Sequence, residues 1–307
     1  ALVPLNDDRM QAKFVAQRIR DLIEEGTDPN EIAVLYRAHF HSMELQMELT
    51  RGEIPFRITS GIRFFEQAHI KDVVAFMRFV VNPRDELSFR RMVMLLPGIG
   101  PGMAQKLWIR WAACPESRLE TPPESFSALM LDFPVPAKSK TAWTQLCYTL
   151  DELAPAGKIA GPASMLISIN EAVYDEYMQA AFENYDQRRQ DLLHLAGFSE
   201  RFESTEDFLS QLSLLGNTDD ESAAADLSGG AVTLSTIHQA KGLEWSVVFL
   251  IGLCDGMFPH QRVIDDGDLA GLEEERRLFY VGITRAKDQL YLTYPLSLIH
   301  ISEPTRL

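Results

Sequence analysis

The stretch AVTLSTIHQAKGLEWSVVFLI, residues 231–251, contains two apolar runs of strand length on either side of a polar segment. The first run is AVTLS (231–235) and the second is SVVFLI (246–251). Short continuous apolar runs of this kind are typical of strands that are buried on both faces of a sheet. The stretch therefore predicts the centre of an α/β domain.

The flanking segments extend the same pattern in both directions. The predicted order is a helix over 8–25, a strand at EIAVLY (31–36), a helix over 43–51, a strand at PFRIT (55–59), the two strands above, a helix over 272–286 and a last strand at QLYLTY (289–294). Strands that alternate with helices are the signature of the α/β class.

The middle of the chain is predicted to be helical instead. Apolar residues from Ile70 to Val80 repeat at helical spacing, and the run ends at Asn82-Pro83. Further helices are predicted near 101–112, 141–153, 162–180, 184–196 and 205–215, with a long loop from Cys114 to Pro136. The small polar residues 216–230 favour a flexible linker.

These patterns predict one α/β domain that is split around an all-helical insertion. The predicted segments are 1–66 and 230–295 for the two parts of the α/β domain, 67–229 for the insertion, and 296–307 for a disordered or non-native tail.

Composition excludes several classes of protein. The chain has 307 residues, with 29 Lys and Arg against 44 Asp and Glu, so its net charge is −15. That balance argues against a protein that coats nucleic acid through bulk positive charge, although it allows a local basic groove. The sequence contains neither an apolar run of about 20 residues nor a secretory signal pattern. The spacing of its three cysteines suits a reducing compartment rather than disulfides or zinc. We therefore expect a cytoplasmic location, no membrane partner and no bound metal.

Two segments have the residue types of a ligand site. In 232–245, Thr236, His238, Lys241 and Glu244 follow a strand, and Gly242 opens the loop. Polar groups at the ends of parallel strands are where α/β domains bind ligands, although His238 is equally compatible with a capped loop histidine.

Arg285, in the second segment, is predicted at a helix end, where a guanidinium can reach a phosphate with two hydrogen bonds. Earlier on that helix, Glu273 and Arg277 have the i,i+4 spacing of a solvated ion pair.

A third segment, LLPGIGPGMAQKLW (95–108), resembles the hairpin of a helix-hairpin-helix element. Gly98 and Gly100 lie between two predicted helices, and glycine amides can approach a DNA phosphate that side chains would block. A tight turn between two helices explains the same residues. The sequence contains no G-x-x-x-x-G-K-[ST], so it has no Walker A phosphate cradle.

Five stretches together resemble the C-terminal half of the UvrD/Rep/PcrA-type superfamily-one DNA helicases. They are IAVLYRAHFHSMELQMEL (32–49), IPFRITSGIRFFEQAHIKDVVAFMRFVVNPRD (54–85), LLPGIG (95–100), VTLSTIHQAKGLEWSVVFLIGLCDGMFPH (232–260) and EEERRLFYVGITRAKDQLYL (273–292). The resemblance implies that the α/β domain is the second RecA-like motor domain, 2A, and that the helical insertion is domain 2B.

The resemblance also implies the cofactor and the residues that contact it. Arg285 matches the motif VI arginine finger on the γ-phosphate of ATP, and Glu244, in the loop opened by Gly242, matches the motif V carboxylate at the ribose. The Walker A lysine, the Walker B carboxylates and most Mg²⁺ contacts would belong to an N-terminal RecA-like half that precedes this chain, so the chain alone is predicted to be inactive.

DNA contacts are implied at a second group of positions, which are Arg37, His39, Thr236, His238, His260 and the hairpin glycines Gly98 and Gly100. The sequence departs from the family at three places. His39 stands where the family commonly has asparagine, Met43 replaces an arginine, and Glu53 replaces the glycine of Gly-Ile-Pro.

The sequence therefore predicts half of an ATP-dependent 3′→5′ helicase that acts on single-stranded DNA and on junctions with duplex, with DNA repair among the expected roles. One alternative is a fragment of a helicase–nuclease subunit of the AddA or RecB type. Another is a non-catalytic DNA-binding module, although Arg285 and Glu244 would then have no nucleotide to contact.

Overall fold

A computed structural model of the chain describes residues 1–59, 64–118, 121–216, 230–265, 267 and 269–296. The chain divides into two compact units, one of Ala1–Phe64 with Asn217–Leu307 and one of Phe65–Gly216. Most of the predicted linker (217–229) and tail (297–307) lies outside the described residues.

The first unit is built on a six-stranded parallel sheet. Its strands are β1 (Leu2–Leu5), β2 (Ile32–Tyr36), β3 (Phe56–Ile58), β4 (Val232–Thr236), β5 (Trp245–Leu250) and β6 (Ala286–Pro295), in the spatial order β1-β6-β5-β2-β4-β3. Its α-helices are α1 (Asp8–Glu24) and α2 (Met43–Arg51), with α12 (Gln261–Asp265) and α13 (Leu269–Ile283) late in the chain. The predicted α/β class is confirmed.

Alternating side chains of the central strands supply two separate cores. Val34 of β2 faces a core shared with α1 and α2, whereas Leu35 faces a core shared with α13. Both side chains are completely buried, as expected for a parallel strand covered by helices on both faces. This burial explains why β2 and β5 are almost entirely apolar and why the hydroxyl residues of β4 are small and buried.

Helix α13 packs very closely on the sheet because Gly282 has no side chain. A Cβ at Gly282 would lie 3.3 Å from Leu250 Cδ1 and 3.8 Å from Ile237 Cδ1. Leu278, one turn earlier, is buried in the same core. The helix is therefore held against β5 and against the first residue of the loop 237–244.

The second unit is helical among its described residues. Its α-helices are α3 (Ala68–Val81), α4 (Glu86–Val93), α5 (Pro101–Ala112), α6 (Phe126–Met130), α7 (Lys140–Leu153), α8 (Pro162–Ile169), α9 (Asp175–Ala181), α10 (Tyr185–Ser199) and α11 (Thr205–Gly216). Helix α3 ends immediately before Asn82-Pro83, as predicted. The single helix predicted over 162–180 is α8 and α9 joined by a π-helical segment, Asn170–Tyr174.

The structure adds one strand and one helix to the predicted elements, and it explains one departure from the family sequence. Strand β1 was not predicted, and α6 occupies part of the predicted long loop. Glu53 has a φ of +54°, a left-handed conformation that favours glycine, which accounts for the glycine usual at this position in the helicases that the sequence resembles.

Gly282→Val should lower the free energy of unfolding by about 1–3 kcal/mol, the usual cost of overpacking a close-packed core. The added methyl groups would collide with Leu250 and Ile237 and lift α13 from the sheet. Urea unfolding followed by circular dichroism measures the change.

Gly197→Ala is the control, because a Cβ at Gly197 in α10 meets nothing within 4 Å. Alanine has the higher helix propensity, so this variant should be as stable as the wild type or up to about 1 kcal/mol more stable. Equal midpoints for Gly282→Val and the wild type would show that the close packing is unimportant.

Candidate functional site

One group of predicted site residues lies at the carboxyl edge of the sheet. Tyr36 and Thr236 are partners in the register of β2 and β4, and the Ile237 amide donates to the Tyr36 carbonyl over 3.0 Å. Arg37 follows β2 directly, and His238 is the second residue after β4. The parallel pairing therefore places Arg37, Thr236 and His238 together, although they are about 200 residues apart in sequence.

Arg37 is bound by a buried carboxylate from α13. Its Nε donates to Glu275 Oε1 and Oε2 over 2.9 and 3.2 Å, and its Nη2 lies 2.8 Å from Oε1. The Glu275 side chain is 5% exposed, whereas Arg37 is 26% exposed. One edge of the guanidinium is thus fixed inside the protein while the remainder faces outward.

Glu275 was not among the predicted site residues, although the sequence contains a signal for it. Of the three consecutive glutamates, only Glu275 precedes Leu278, Phe279 and Gly282 by three, four and seven residues, which is the spacing of one helix face. Glu273 and Glu274 instead pair on the exposed face with Arg276 and Arg277. The predicted Glu273–Arg277 pair is wrong, because each of these glutamates pairs with the arginine three residues later in the sequence.

His238 is exposed, yet its pKa lies below the ordinary value. The main cause is partial loss of water around the ring, and the Arg37 charge adds to it by disfavouring a second cation. Glu275 and Glu274 oppose this shift. His238 is therefore a neutral donor or acceptor at pH 7, beside a permanently charged arginine.

Thr236 has a structural role that the sequence did not indicate. Its side chain is buried, and its Oγ1 accepts a 3.4 Å hydrogen bond from the Gln239 amide. The Ala240 amide donates to the Thr236 carbonyl over 3.0 Å. Thr236 thus fixes the turn that presents His238.

His39 and His260 lie in loops that follow β2 and β5, which end at the same carboxyl edge. The His39 ring packs edge-on against Tyr36, with centroids 6.0 Å apart. The Ser42 hydroxyl donates to the His39 carbonyl over 2.7 Å, so it tightens this turn and makes no side-chain capping bond to α2. His260 is half-buried in a turn closed by a 3.0 Å hydrogen bond from the Gly256 amide to the Pro259 carbonyl.

A second group of residues lies at the opposite, amino edge of the sheet. Glu244 precedes β5 and Arg285 precedes β6, and the Trp245 amide donates to the Arg285 carbonyl over 3.0 Å. The Glu244 side chain is exposed. Gly242, two residues earlier, has a φ of +89° and open space around its Cα, so the chain turns there without a side chain to cover the edge.

The Arg285 guanidinium is held in place by three hydrogen bonds. Nε donates to the Val281 carbonyl over 3.0 Å, Nη1 to the Leu243 carbonyl over 3.1 Å, and Nη2 to Thr284 Oγ1 over 3.0 Å. Nη1 and Nη2 each carry a second N–H. The group is thus oriented beside Glu244 with donor capacity left for an anion.

The polar loop 237–244 therefore connects two separate sites. It begins beside Arg37 at the carboxyl edge and ends beside Arg285 at the amino edge, because β4 and β5 run in the same direction. The structure brings Arg37, Thr236 and His238 together and brings Gly242, Glu244 and Arg285 together, and it separates the first group from the second.

The glycine hairpin lies in the helical unit, between α4 and α5. Leu96 and Ile99 are buried and anchor it, while Gly98 and Gly100 are exposed. Gly98 has a φ of +82°, and the Lys138 side chain occupies the place that a Cβ would take. Gly100 caps α5 at a φ of −93°, with nothing within 4 Å of a Cβ position. Of the two glycines, Gly100 leaves the more open approach.

Across the described parts of the chain, histidine, cysteine and carboxylate side chains nowhere gather in threes as a metal site requires. None of the described helices has the length and apolar character needed to span a membrane.

Comparison with known proteins places the chain in a family. The UvrD-like helicase C-terminal domain matches residues 4–114 and 172–297. A probable DNA helicase II homologue of Rickettsia conorii is 33% identical over 297 residues, with 94% of this chain and 44% of that protein aligned.

Two further relatives give the same result. The ATP-dependent DNA helicase PcrA of Bacillus subtilis is 34% identical, with 92% of this chain and 39% of that protein aligned. DNA helicase II of Escherichia coli is 32% identical, with 92% and 40% aligned. The chain thus spans about two fifths of the length of these relatives. It belongs to the UvrD-like helicase family, of which it contains the C-terminal domain.

Proposed function

We propose that this chain is the C-terminal half of an ATP-dependent 3′→5′ DNA helicase that translocates on single-stranded DNA and unwinds duplex. The observation that carries the proposal is that Arg285 and Glu244 lie next to each other at the amino edge of the sheet, where the Trp245 amide donates to the Arg285 carbonyl. Family membership supports it, because the relatives named above are DNA helicases and PcrA is ATP-dependent by name.

The nucleotide-facing residues have the chemistry that ATP requires. Arg285 offers a rigid, permanently charged fork with free N–H groups for phosphate oxygens. The exposed Glu244 carboxylate can accept hydrogen bonds from ribose hydroxyls, and Gly242 keeps the approach open. Because the sequence has no Walker A motif, an N-terminal RecA-like half of the same protein would hold the phosphates and Mg²⁺.

The chemical role of Arg285 follows from its charge and its fixed orientation. Hydrolysis of ATP places negative charge on the transferring phosphoryl group. Arg285 is held by Val281 and Leu243 before any ligand arrives, so little reorganisation is needed to stabilise that charge. An arginine that gains its anionic partner only when the two halves close would also favour the closed state.

The DNA-facing residues lie at the other edge. We assign the strand to the region of Arg37, His39, Thr236, His238 and His260, where one guanidinium and several imidazoles can donate to phosphates. Thr236 would act mainly through the turn that it fixes. The net charge of −15 is compatible with this track, because the contacts are local.

We further propose that residues 1–66 and 230–295 form domain 2A and that residues 67–229 form domain 2B. The division into two compact units supports the assignment. In this arrangement the hairpin with Gly98 and Gly100 would meet duplex at the junction through its backbone amides.

Arg285→Ala, in the longer helicase that contains this chain, should reduce ATP turnover by about 10³–10⁵, the range known for arginine fingers. Nucleotide affinity should fall much less, because most phosphate contacts belong to the other half. Arg285→Lys should restore little, since a lysine supplies a point charge on a shorter side chain.

Arg277→Ala is the matched control, because Arg277 lies on the exposed face of α13, the helix that precedes Arg285, and pairs there with Glu274. Its turnover should stay near that of the wild type. Wild-type turnover in Arg285→Ala, or greater damage in Arg277→Ala, would exclude Arg285 as the finger.

Gly100→Val should weaken binding to duplex DNA while single-strand-stimulated ATP hydrolysis survives. The new side chain fits the backbone at φ −93° and would block a phosphate from the amides. Gly98 is unsuitable for this test, because its positive φ would strain any other residue.

Gly161→Val serves as the control for the hairpin. Gly161 also precedes a proline at a helix start, also has open space around it, and lies elsewhere in the helical unit. Its variant should bind duplex normally. Equal losses of duplex binding in both variants would attribute the effect to damage of the unit rather than to the hairpin.

A further inference from the structure

We propose that Glu275 is a positioning residue that orients Arg37 for the DNA strand and ties it, through α13, to Arg285. The inference rests on the proposed function, since it assumes that Arg37 contacts DNA and that Arg285 contacts ATP. Its physical basis is the buried ion pair between Glu275 and Arg37.

The geometry of the pair fixes which atoms of Arg37 are presented. Nε and Nη2 are directed to the Glu275 carboxylate. Nη1 and the second N–H of Nη2 lie on the outer edge of the planar group, and Arg37 is partly exposed. A guanidinium held in this way loses little conformational freedom when it binds a phosphate, unlike a free arginine on the surface.

The burial of Glu275 makes the orientation obligatory. A carboxylate with 5% exposure cannot be solvated and therefore needs a charged partner. Arg37 is that partner, and its Nε and Nη2 groups both donate to the Glu275 carboxylate. The two side chains therefore cannot separate without leaving a buried, unpaired charge. The pair is thus a fixed element and not a transient surface contact.

Helix α13 connects this pair to the opposite edge of the sheet. Glu275 and the helix end at Ile283 are eight residues apart, roughly 12 Å along the axis. Beyond the helix, the Thr284 and Arg285 amides donate to the Tyr280 and Gly282 carbonyls over 3.1 and 3.2 Å. Arg285 is therefore fixed to one end of a rigid segment whose other part holds Arg37.

Helix α13 therefore positions both Arg37 and Arg285. Displacement of Arg285 by a phosphate acts on α13, and the same helix carries the carboxylate that holds Arg37. Coupling between two binding sites is reciprocal, so DNA bound at Arg37 should also change the position of Arg285 and its affinity for a phosphate.

The first experiment measures ATP hydrolysis against single-stranded DNA concentration in the longer helicase. Glu275→Gln should raise by about tenfold the single-stranded DNA concentration that gives half-maximal stimulation, because about tenfold corresponds to the loss of one charge-assisted hydrogen bond. The maximal rate of ATP hydrolysis should change less. Arg37→Met should do the same, and the double variant should be no worse than Arg37→Met alone. Glu274→Gln, the neighbouring exposed carboxylate, is the control and should behave as the wild type.

The second experiment follows the His238 ring of this 307-residue chain by NMR during a pH titration. The charged groups that act on His238 are Arg37, Glu274 and Glu275. Glu275→Gln should lower the pKa of His238 and Arg37→Met should raise it, whereas Glu275→Asp should keep it near the wild-type value. The signs differ because Glu275→Gln removes an attraction for the protonated ring, whereas Arg37→Met removes a repulsion.

The outcomes separate this inference from the proposed function. Effects of Glu275→Gln and Arg37→Met that add in the double variant, or a His238 pKa that neither changes, would overturn the positioning role and leave the helicase assignment intact. An Arg37→Met helicase that needs no more DNA than the wild type would overturn both the positioning role and the proposed DNA contact of Arg37.

Discussion

All six strands of the sheet run in the same direction, and this constraint determines where the candidate site residues of the α/β unit lie. A chain that leaves one parallel strand must cross the sheet before it can enter the next. His238 follows β4 and Glu244 precedes β5, so six residues of sequence separate side chains at opposite edges. The same rule brings Arg37 to His238 and Glu244 to Arg285. One α/β unit thereby presents two chemically different groups of side chains, Arg37 and His238 at one edge and Glu244 and Arg285 at the other.

Helix α13 makes these two edges mechanically dependent on each other. Its close approach to the sheet requires Gly282, and its buried Glu275 requires Arg37. Breaking a buried ion pair by removal of one partner costs about 3–5 kcal/mol, and the partial exposure of Arg37 favours the lower end of that range. The exposed Glu273–Arg276 and Glu274–Arg277 pairs on the same helix contribute little by comparison. The buried face of α13, which carries Glu275 and Gly282, therefore contributes more to stability than its exposed face.

The sequence alone was enough to predict the fully buried strands. Elements that depend on contacts between residues far apart in the sequence could not be predicted from it. Helices cover both faces of β2, β4 and β5. β2 is therefore apolar throughout, β5 is apolar except for Ser246, and β4 adds only small hydroxyl residues to Val232 and Leu234, so all three can be recognised from the sequence. β1 has only four residues and lies at an edge, and its partner residues in β6 are 290 positions away in sequence. Helix α6 was missed for a similar reason, because the Asp151 carboxylate of α7 accepts from the Phe126 and Ser127 amides at its start. Motif resemblance identified Arg285 and Glu244, whereas Glu275 became evident only when α13 was placed against Arg37.

ATP hydrolysis by this chain mixed with a separately produced N-terminal RecA-like half of the same protein is the most direct measurement. The chain alone should hydrolyse no ATP, since it supplies Arg285 but no phosphate cradle. The mixture should hydrolyse ATP in a DNA-stimulated manner, and a chain with Arg285→Ala should not restore that activity. Hydrolysis by the purified 307-residue chain, or a mixture no more active than the N-terminal half alone, would contradict the assignment of this chain as the half that completes the ATP site.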